Sequence, residues 1–346
     1  MDMTACEGLP AIPFHDLGPG GPLALLAAEP GRAEALLATG RAIYPAAAVR
    51  LAEALSRRWL AATGNPYRDE IEAIGQALGT PGAAFLNVSY EWGCTSSVTE
   101  PPGAGPRFLR VLDWPFDGLG AELVAARFEA PAGAWINLTW PGFVGVVQGF
   151  APGRFAACFN QAPLPRSSGL FALDWLRERL RVWRGRGLPP AHLLRRAFET
   201  CRDYAEAKAM LSDTPIALPA IFVLCGTAPG EGCVIERLCD RAAVREGPSV
   251  ATNHWQSLPE AGYARGLVSE TRAGLMSERL HGAGDDFAWL TDPILNATTR
   301  LALVAEPASG RLAVVGIEAE APATGLLRLE NGWPAGQEAR AAIVAE

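Results

Sequence analysis

Lysine is nearly missing from this chain. Lys208 is the only one, so almost all of the 30 basic side chains are arginine, and histidine occurs four times. Set against 37 acidic residues, this leaves a formal net charge of −7 and a pI near 5.3. Nucleic acid is thereby disfavoured as a partner, because its affinity comes from phosphate neutralisation by basic side chains. The one basic concentration (Arg177, Arg179, Arg181, Arg184, Arg186, Arg195, Arg196) alternates with Trp, Leu and Val at helical spacing, and reads as a solvated helix face. CxxC pairs are absent: Cys6, Cys94, Cys158, Cys201, Cys225, Cys233 and Cys239 form an odd, scattered set, as do His15, His192, His254 and His281. Zinc-ligand spacing and a disulfide framework are therefore not indicated, and no metal or cofactor is implied. No GK[ST] follows the LGPGGP run at 17–22, so its glycines are not a phosphate loop. No unbroken apolar stretch reaches the roughly 18 residues of a membrane span, and MDMTACEGLP lacks the basic-then-apolar pattern of a signal peptide. The expectation is a soluble, cytoplasmic protein without stable membrane insertion.

Core material is plentiful. With 49% hydrophobic residues, 19% charged and a mean hydropathy of +0.11, a chain of 346 residues can fill one large core or a core with an appendage. Residues 1–32, rich in Gly, Pro and Ala, read as an irregular lead-in. Apolar residues then recur at three and four (Leu51, Ala52, Leu55, Trp59; Ile71, Ile74, Leu78), predicting amphipathic helices over 32–63 and 68–78. From Ala84 the pattern changes to short runs bounded by Gly, Pro and Asp: AAFLNVSY, CTSSVTE, RFLRVLDW, ELVAARFE, AWINLTW, FVGVVQGF and RFAACFN. These predict a largely antiparallel meander. A helical block over about 169–211 follows, then strands AIFVLCG, GCVIERL and SVATN, a helix near 270–280, and terminal strands TRLALVAE and RLAVVGIE. This order suits a layered α+β sandwich.

Among the cysteines, Cys94 has the most suggestive setting. It follows Gly93 in EWGCTSSV and should open a strand rather than lie buried within one; a turn and return strand would bring Arg110 and Asp113 of LRVLDWPF back beside it. Taken alone, an Arg three residues before an Asp is an ordinary surface pair.

Five segments in one order give this setting its meaning. GFVGVVQGFAPGRFAACFN (142–160) resembles the GYVG…TGxxPGxF…N segment of the acid ceramidase and N-acylethanolamine acid amidase group of N-terminal nucleophile hydrolases. NVSYEWGCTSSV resembles the stretch around their nucleophilic cysteine, RVLDWPF their RNxDF, ALPAIFVLCGTAPGEGCVIER (217–237) their APAxFIxGGxxxGEGxVITR, and TNHW (252–255) their TNYDxW. The Gly93-Cys94-Thr95 junction and the SxxR of Ser269 to Arg272 are similar to the penicillin acyltransferase branch.

The resemblance implies a four-layer αββα sandwich preceded by a helical propeptide, 1–93, released from a catalytic part, 94–346, by self-cleavage between Gly93 and Cys94, with the two parts staying associated. Cys94 would be the nucleophile, Arg110 and Asp113 would position its thiol and amine, and Asn253 would donate to an oxyanion. Arg272 matches the acyltransferase arginine, whereas the ceramidase branch places its arginine nearer Arg265. Where that branch has Asn-Glu, this chain has Asn160-Gln161, which removes a carboxylate. Gln cannot take a proton or hold a negative charge. His254 reads as a hydrogen-bonded loop or core residue. Trp114, Phe116, Trp140 and Phe143, with Trp92, border the motifs and are candidates for an apolar acyl slot.

The chemistry follows from these residue types. A thiol near pKa 8.5 needs a nearby base, and an N-terminal cysteine carries one in its α-amine, which titrates near 7.7–8.0. The implied reaction is hydrolysis of a small-molecule N-acyl amide (ceramide-like, N-acylethanolamine-like or an N-acyl amino acid) through an acyl-Cys94 intermediate. An acyltransferase would use the same residues, and a degenerate, uncleaved lipid-binding protein is the alternative from another class.

Overall fold

A computed structural model of the chain describes residues 3–87 and 92–336. Two eight-stranded sheets stack face to face. The first runs in space as β1 (Phe14–Asp16), β4 (Val124–Ala130), β5 (Gly133–Thr139), β6 (Gln148–Ala151), β7 (Phe155–Gln161), β9 (Ala220–Cys225), β10 (Gly232–Arg237) and β11 (Ala242–Glu246). The second runs as β12 (Ser249–Ala251), β2 (Gly93–Thr99), β3 (Arg107–Asp113), β14 (Thr299–Glu306), β15 (Arg311–Glu318), β17 (Leu327–Glu330) and β18 (Trp333–Pro334), with β16 (Ala321–Pro322) paired to β15. A small pair, β8 (Leu164–Pro165) and β13 (Gly262–Tyr263), stands apart.

Helices close both outer faces. On the first sheet lie α7 (Pro190–Thr200) and α8 (Tyr204–Asp213), anchored where the Phe198 ring stacks on Trp135 and Phe155 at 5.2 and 4.9 Å. On the second lies α9 (Ser269–Arg279), whose Ala273 and Met276 pack with Leu109, Val111, Val304 and Val315. The result is a four-layer αββα sandwich, the architecture that the resemblance implies. Strand alternation assigns the faces of β2 and β3. Cys94, Val98, Phe108 and Leu112 enter the core between the sheets, whereas Leu109 and Val111 meet the α9 layer.

The expected meander is divided between the sheets. CTSSVTE and RFLRVLDW form the β2–β3 hairpin of the second sheet, while ELVAARFE, AWINLTW and RFAACFN build the first. FVGVVQGF is a strand only over Gln148–Ala151, because Val144 N–H donates to Asn87 Oδ1 (2.7 Å) and Val146 N–H to the Ala191 carbonyl (3.0 Å) rather than to a ladder. Within AAFLNVSY, Ala83–Leu86 is a helical turn, α5, and 88–90 lie outside the described residues.

The lead-in is also more ordered than its composition predicts. Phe14–Asp16 pairs in parallel with β4, and the proline after Gly21 sits in the first turn of α1 (Gly21–Ala28), where its missing N–H costs nothing. The helix expected over 32–63 divides at Tyr44, extended before Pro45, into α2 (Pro30–Ile43) and α3 (Ala46–Thr63). Helix α4 (Arg68–Leu78) runs as predicted, with Asp69 and Glu70 in its first turn and Gly79 closing it at φ +61°.

Buried polar contacts tie these N-terminal helices to the sandwich. Arg195 of α7 pairs with Glu70 of α4, donates to Glu199 Oε1 (2.7 Å) and to the Val144 carbonyl (3.0 Å), and lies 4.3 Å over the Tyr67 ring. Tyr67 Oη donates to Glu199 (2.7 Å), and Asn65 Nδ2 reaches His192 Nδ1 (2.9 Å). Burial, with the Arg195 charge, lowers the His192 pKa to about 3, so its ring is neutral and Nδ1 accepts. Removing Arg195 would strand two partly buried carboxylates. Arg195→Met should cost about 3 kcal/mol, read as a fall in the urea midpoint, and an unchanged midpoint would show that the contacts contribute nothing.

Candidate active site

The strand β2 runs through the Gly93–Cys94 peptide, so Cys94 is its second residue, as the turn-and-return spacing suggests. It is nonetheless fully buried, contrary to the expectation of an accessible strand opening. The hairpin register pairs Gly93 with Asp113, Cys94 with Leu112 and Ser96 with Arg110. This brings Arg110 and Asp113 to the cysteine on opposite sides of the sheet.

Between the sheets, Arg110 Nη1 donates to Ser96 Oγ (2.9 Å) and to Asn160 Oδ1, and Nη2 donates to the Phe159 carbonyl (3.3 Å). Asn160 is held in turn by Ser96 Oγ (2.8 Å) and by its own Nδ2 donations to the Ala251 and Thr252 carbonyls (both 3.0 Å). The Cys158 thiol donates to Ser96 Oγ (3.3 Å). Arg110 Nε is buried without a hydrogen-bond partner, leaving an open donor.

On the α9 side, Arg272 Nη1 donates to the Cys94 carbonyl and to Thr95 Oγ1 (2.7 Å), Nη2 to Asn253 Oδ1 (3.1 Å), and Nε to the Leu267 carbonyl (2.7 Å). Asp113 Oδ2 stands 3.4 Å from Arg272 Nη1, while Oδ1 accepts from Thr299 Oγ1 (2.8 Å). Of the two arginines weighed from sequence, Arg272 contacts the cysteine residue, whereas Arg265 donates to the Ala162 carbonyl (3.0 Å).

Asn253 receives the Cys94 N–H on Oδ1 (2.7 Å), its Nδ2 donates to the Gln161 carbonyl (2.9 Å), and its backbone N–H donates to Ser269 Oγ (2.9 Å). Donation to an oxyanion would require Nδ2 to leave Gln161. The Gln161 side chain accepts from Trp92 N–H (2.8 Å), so the residue that replaces a carboxylate holds the chain just before the junction. His254 Nδ1 lies within hydrogen-bond distance of Thr252 Oγ1 and Ser269 Oγ (3.0 and 2.9 Å), a loop position rather than a base beside the thiol. Gly93 and Gly266 are packed against each other. A Cβ on Gly93 would stand 3.0 Å from Gly266 Cα, and Gly266, at φ +68°, lets its loop pass directly over the junction.

The aromatic candidates are also brought together. Trp114, Phe116, Trp140 and Phe143 all line one cavity of about 790 Å³, whose other walls come from α2, α3, α5 and α6 (Phe171–Arg184). Cys94 does not line it; the Trp92 ring packs on Trp114 with centroids 4.6 Å apart. The arginine-rich α6 buries only Asp174, and its exposed residues include Trp175, Leu176, Leu180 and Trp183 as well as Arg177, Arg181 and Arg184. Its solvated face is thus only partly polar.

Residues without a sequence signal complete the site. Thr299 lies 186 positions from Asp113, and Ser96 within CTSS carried no assigned role.

Electrostatics set the state of the thiol. Burial is the main cause that raises the Cys94 pKa to about 12, with Cys158 and Asp113 adding to the rise and the Arg110 and Arg272 charges opposing it. Burial likewise raises Asp113, against the pull of Arg272. A thiol so shifted is almost wholly protonated at pH 8. Iodoacetamide at pH 8 should therefore label Cys239, the one half-exposed thiol among the described residues, before Cys94 in the intact chain. Because the shift is upward, Cys94 labelling should keep rising with pH beyond 10. Peptide mapping by mass spectrometry reads both; rapid Cys94 labelling at pH 7 would contradict the burial argument.

The chain matches no family model. It is 29% identical over 192 residues to acid ceramidase of Heterocephalus glaber and 37% identical over 192 residues to that of Macaca fascicularis, covering 50% of this chain and 47% of the relative in both cases. The chain thus spans about half the length of the curated relatives it matches. Among solved structures, a Caenorhabditis elegans N-acylethanolamine-hydrolyzing acid amidase ortholog superposes with a TM-score of 0.51 at 20% identity, covering 68% of this chain and 100% of that one. Among the described residues, no helix is long and apolar enough to cross a membrane. The chain thus shares the fold of this amidase ortholog, and over about half its length it is similar in sequence to the acid ceramidases.

Proposed function

We propose that the protein is a self-processing cysteine amidase, with residues 94–346 as the catalytic part and 1–93 as a propeptide that stays bound after cleavage. One observation carries the reading: Cys94 is placed so that its own backbone nitrogen is gripped by Asn253 Oδ1 at 2.7 Å while Arg272 holds its carbonyl. Any buried backbone N–H and C=O needs a partner; here both partners are side chains rather than strand ladder groups. For a residue that is to become an N-terminus this double grip prepares the site.

In processing, Cys94 Sγ attacks the Gly93 carbonyl carbon, the Gly93–Cys94 C–N bond breaks, and the Cys94 nitrogen leaves as an amine. Water then cleaves the Gly93 thioester, which releases a carboxylate and restores the thiol. The freed α-amine, near pKa 7.7–8.0, takes the thiol proton as general base for turnover. Asn253 Oδ1 accepts from that amine and aims its lone pair toward Sγ. The thiolate attacks the substrate amide carbonyl, the amine product leaves with a proton, and water hydrolyses acyl-Cys94. Arg110, with Nε open, is the donor available to charge building at the thiol side.

The acyl portion belongs in the aromatic cavity, whose volume falls within the roughly 300–1,000 Å³ of small-molecule sites. The Arg195–Glu70, Asn65–His192 and Val144–Asn87 contacts support retention of the N-terminal part, since each joins residues on opposite sides of the Gly93–Cys94 bond and none involves that bond itself. An N-acyl amide is thus the substrate class, as the name of the amidase neighbour suggests for that protein.

Intact-mass measurement tests processing: the active protein should be two fragments, with the larger reading Cys-Thr-Ser at its N-terminus. Cys94→Ala should abolish cleavage and turnover, whereas Cys158→Ala or Cys225→Ala should cost stability only. An active protein that remains one chain would refute the reading.

Chain length tests the slot. Each buried methylene is worth about 0.8 kcal/mol, so kcat/KM should rise about fourfold per carbon across N-acyl amides of two to sixteen carbons until the cavity is full. A flat series would defeat the lipid-amide assignment and leave the nucleophile in place.

A further inference from the structure

The aromatic cavity carries a charge asymmetry that an apolar slot does not require. Its charged lining residues are Arg41, Arg50 and Arg179, and no carboxylate lines it among the described residues. Many arginines of the chain pair with carboxylates: Arg57 with Glu53, Arg107 with Glu306, and Arg300 with Glu318. Arg179 is occupied with its own helix, its guanidinium 5.1 Å over the Trp175 ring. Arg41 and Arg50 differ. They lie exposed on consecutive helices, α2 and α3, and take part in no hydrogen bond, ion pair or ring contact among the described residues.

Two unneutralised cations at the rim of a deep apolar cavity select by charge. Their field over the low-dielectric lining favours an anion, is indifferent to a neutral polar group and repels a cation. Their positions match an amphiphile, since the same cavity offers Trp59, Phe116, Trp140 and Phe143 to a hydrocarbon chain.

We propose that this cavity takes a single-chain amphiphile bearing one anionic group, a carboxylate or sulfonate, with its chain among these aromatics and its anion at Arg41 and Arg50. The assignment rests on reading the cavity as the acyl slot, and it narrows the ligands to acidic ones. An N-acyl amino acid and the fatty carboxylate that hydrolysis releases share this chemistry, so the latter would compete with substrate as product.

Binding is measured on the full Cys94→Ala chain, which removes turnover from the readout, by quenching of the cavity tryptophans. The probes share a twelve-carbon chain: laurate, N-lauroylglycine, N-lauroylethanolamine and dodecyltrimethylammonium, each below its micellar concentration. Both anions should bind about fivefold or more tighter than the neutral amide, and the cation most weakly. In the doubly substituted Arg41→Gln, Arg50→Gln chain that advantage should vanish while the neutral amide binds as before. Both substitutions fall at exposed helix positions, and Gln preserves helix propensity. N-lauroylglycine binding in preference to laurate would identify the acidic amide as the ligand, and the reverse order would identify the released carboxylate.

Equal affinity for the neutral and anionic probes, or an advantage that survives the double substitution, would overturn the charge assignment and leave the lipid-amide reading intact. Absence of saturable binding by any probe would overturn both. Co-sedimentation with phosphatidylglycerol vesicles without saturable laurate quenching would assign the arginines to a lipid surface and overturn the cavity assignment.

Discussion

A guanidinium carries five N–H donors, and one buried completely must find acceptors for them. Arg272 meets that demand by drawing together the Cys94 carbonyl, Thr95 Oγ1, Asn253 Oδ1, the Leu267 carbonyl and the Asp113 carboxylate. These acceptors come from β2, the segment after β12, the loop before α9 and the end of β3. The helix that carries Arg272 is thereby fixed on the sheet, and the cysteine's main chain is fixed on both sides of its Cα. Without this residue, Asp113 would be a buried carboxylate left with the neutral side-chain donors of Thr299 and Asn296, and the segment after β12 would lose one of its ties to the junction.

The hairpin register distributes charge across the sheet. Arg110 lies between the sheets and Asp113 with Arg272 on the α9 side, so Cys94 sits between two cations with one carboxylate behind it. Their net positive charge favours a thiolate, but full burial outweighs it, and the thiol stays protonated. The same electrostatic surroundings acquire a different meaning once a free α-amine stands at Cys94. A proton can then pass from sulfur to nitrogen within one residue, and no external base has to enter a dry site. In this arrangement Asn253 serves first as the acceptor that orients the nitrogen, which is a positional role that composition could never reveal.

Legibility from sequence followed contact distance along the chain. Cys94, Arg110 and Asp113 could be placed together because a short hairpin joins them, and strand alternation is a local rule. Asn253 and Arg272 could be named only through resemblance, since 159 and 178 positions separate them from the cysteine they touch. Ser96 and Asn160 lie within matched segments but carried no assigned role, and Thr299 completes the network with no signature at all. Elements failed for local reasons too. The strand over Ala242–Glu246 is an edge strand with an alternately exposed pattern whose one large apolar residue is Val244, and the glycine and proline of 18–22 signalled a loop where α1 begins at Gly21. In FVGVVQGF the apolar run is genuine, but Asn87 and Ala191 compete for its backbone groups and shorten the strand.

The cavity shows why the N-terminal segment is more than a cover. Its walls are contributed by α2, α3 and α5 from one side of the Gly93–Cys94 bond and by Trp114, Phe116, Trp140, Phe143 and α6 from the other. Parallel pairing of Phe14–Asp16 with β4 adds a backbone ladder to the same union. The proposed cut within β2 would therefore alter the chemistry of a single nitrogen and leave both walls attached through contacts that do not involve it. A segment that formed only a plug would have to depart before substrate entered. Under the proposed processing, a segment that forms half of the slot would have to stay, and the buried Arg195 pairings, costly to expose one at a time, would hold it there.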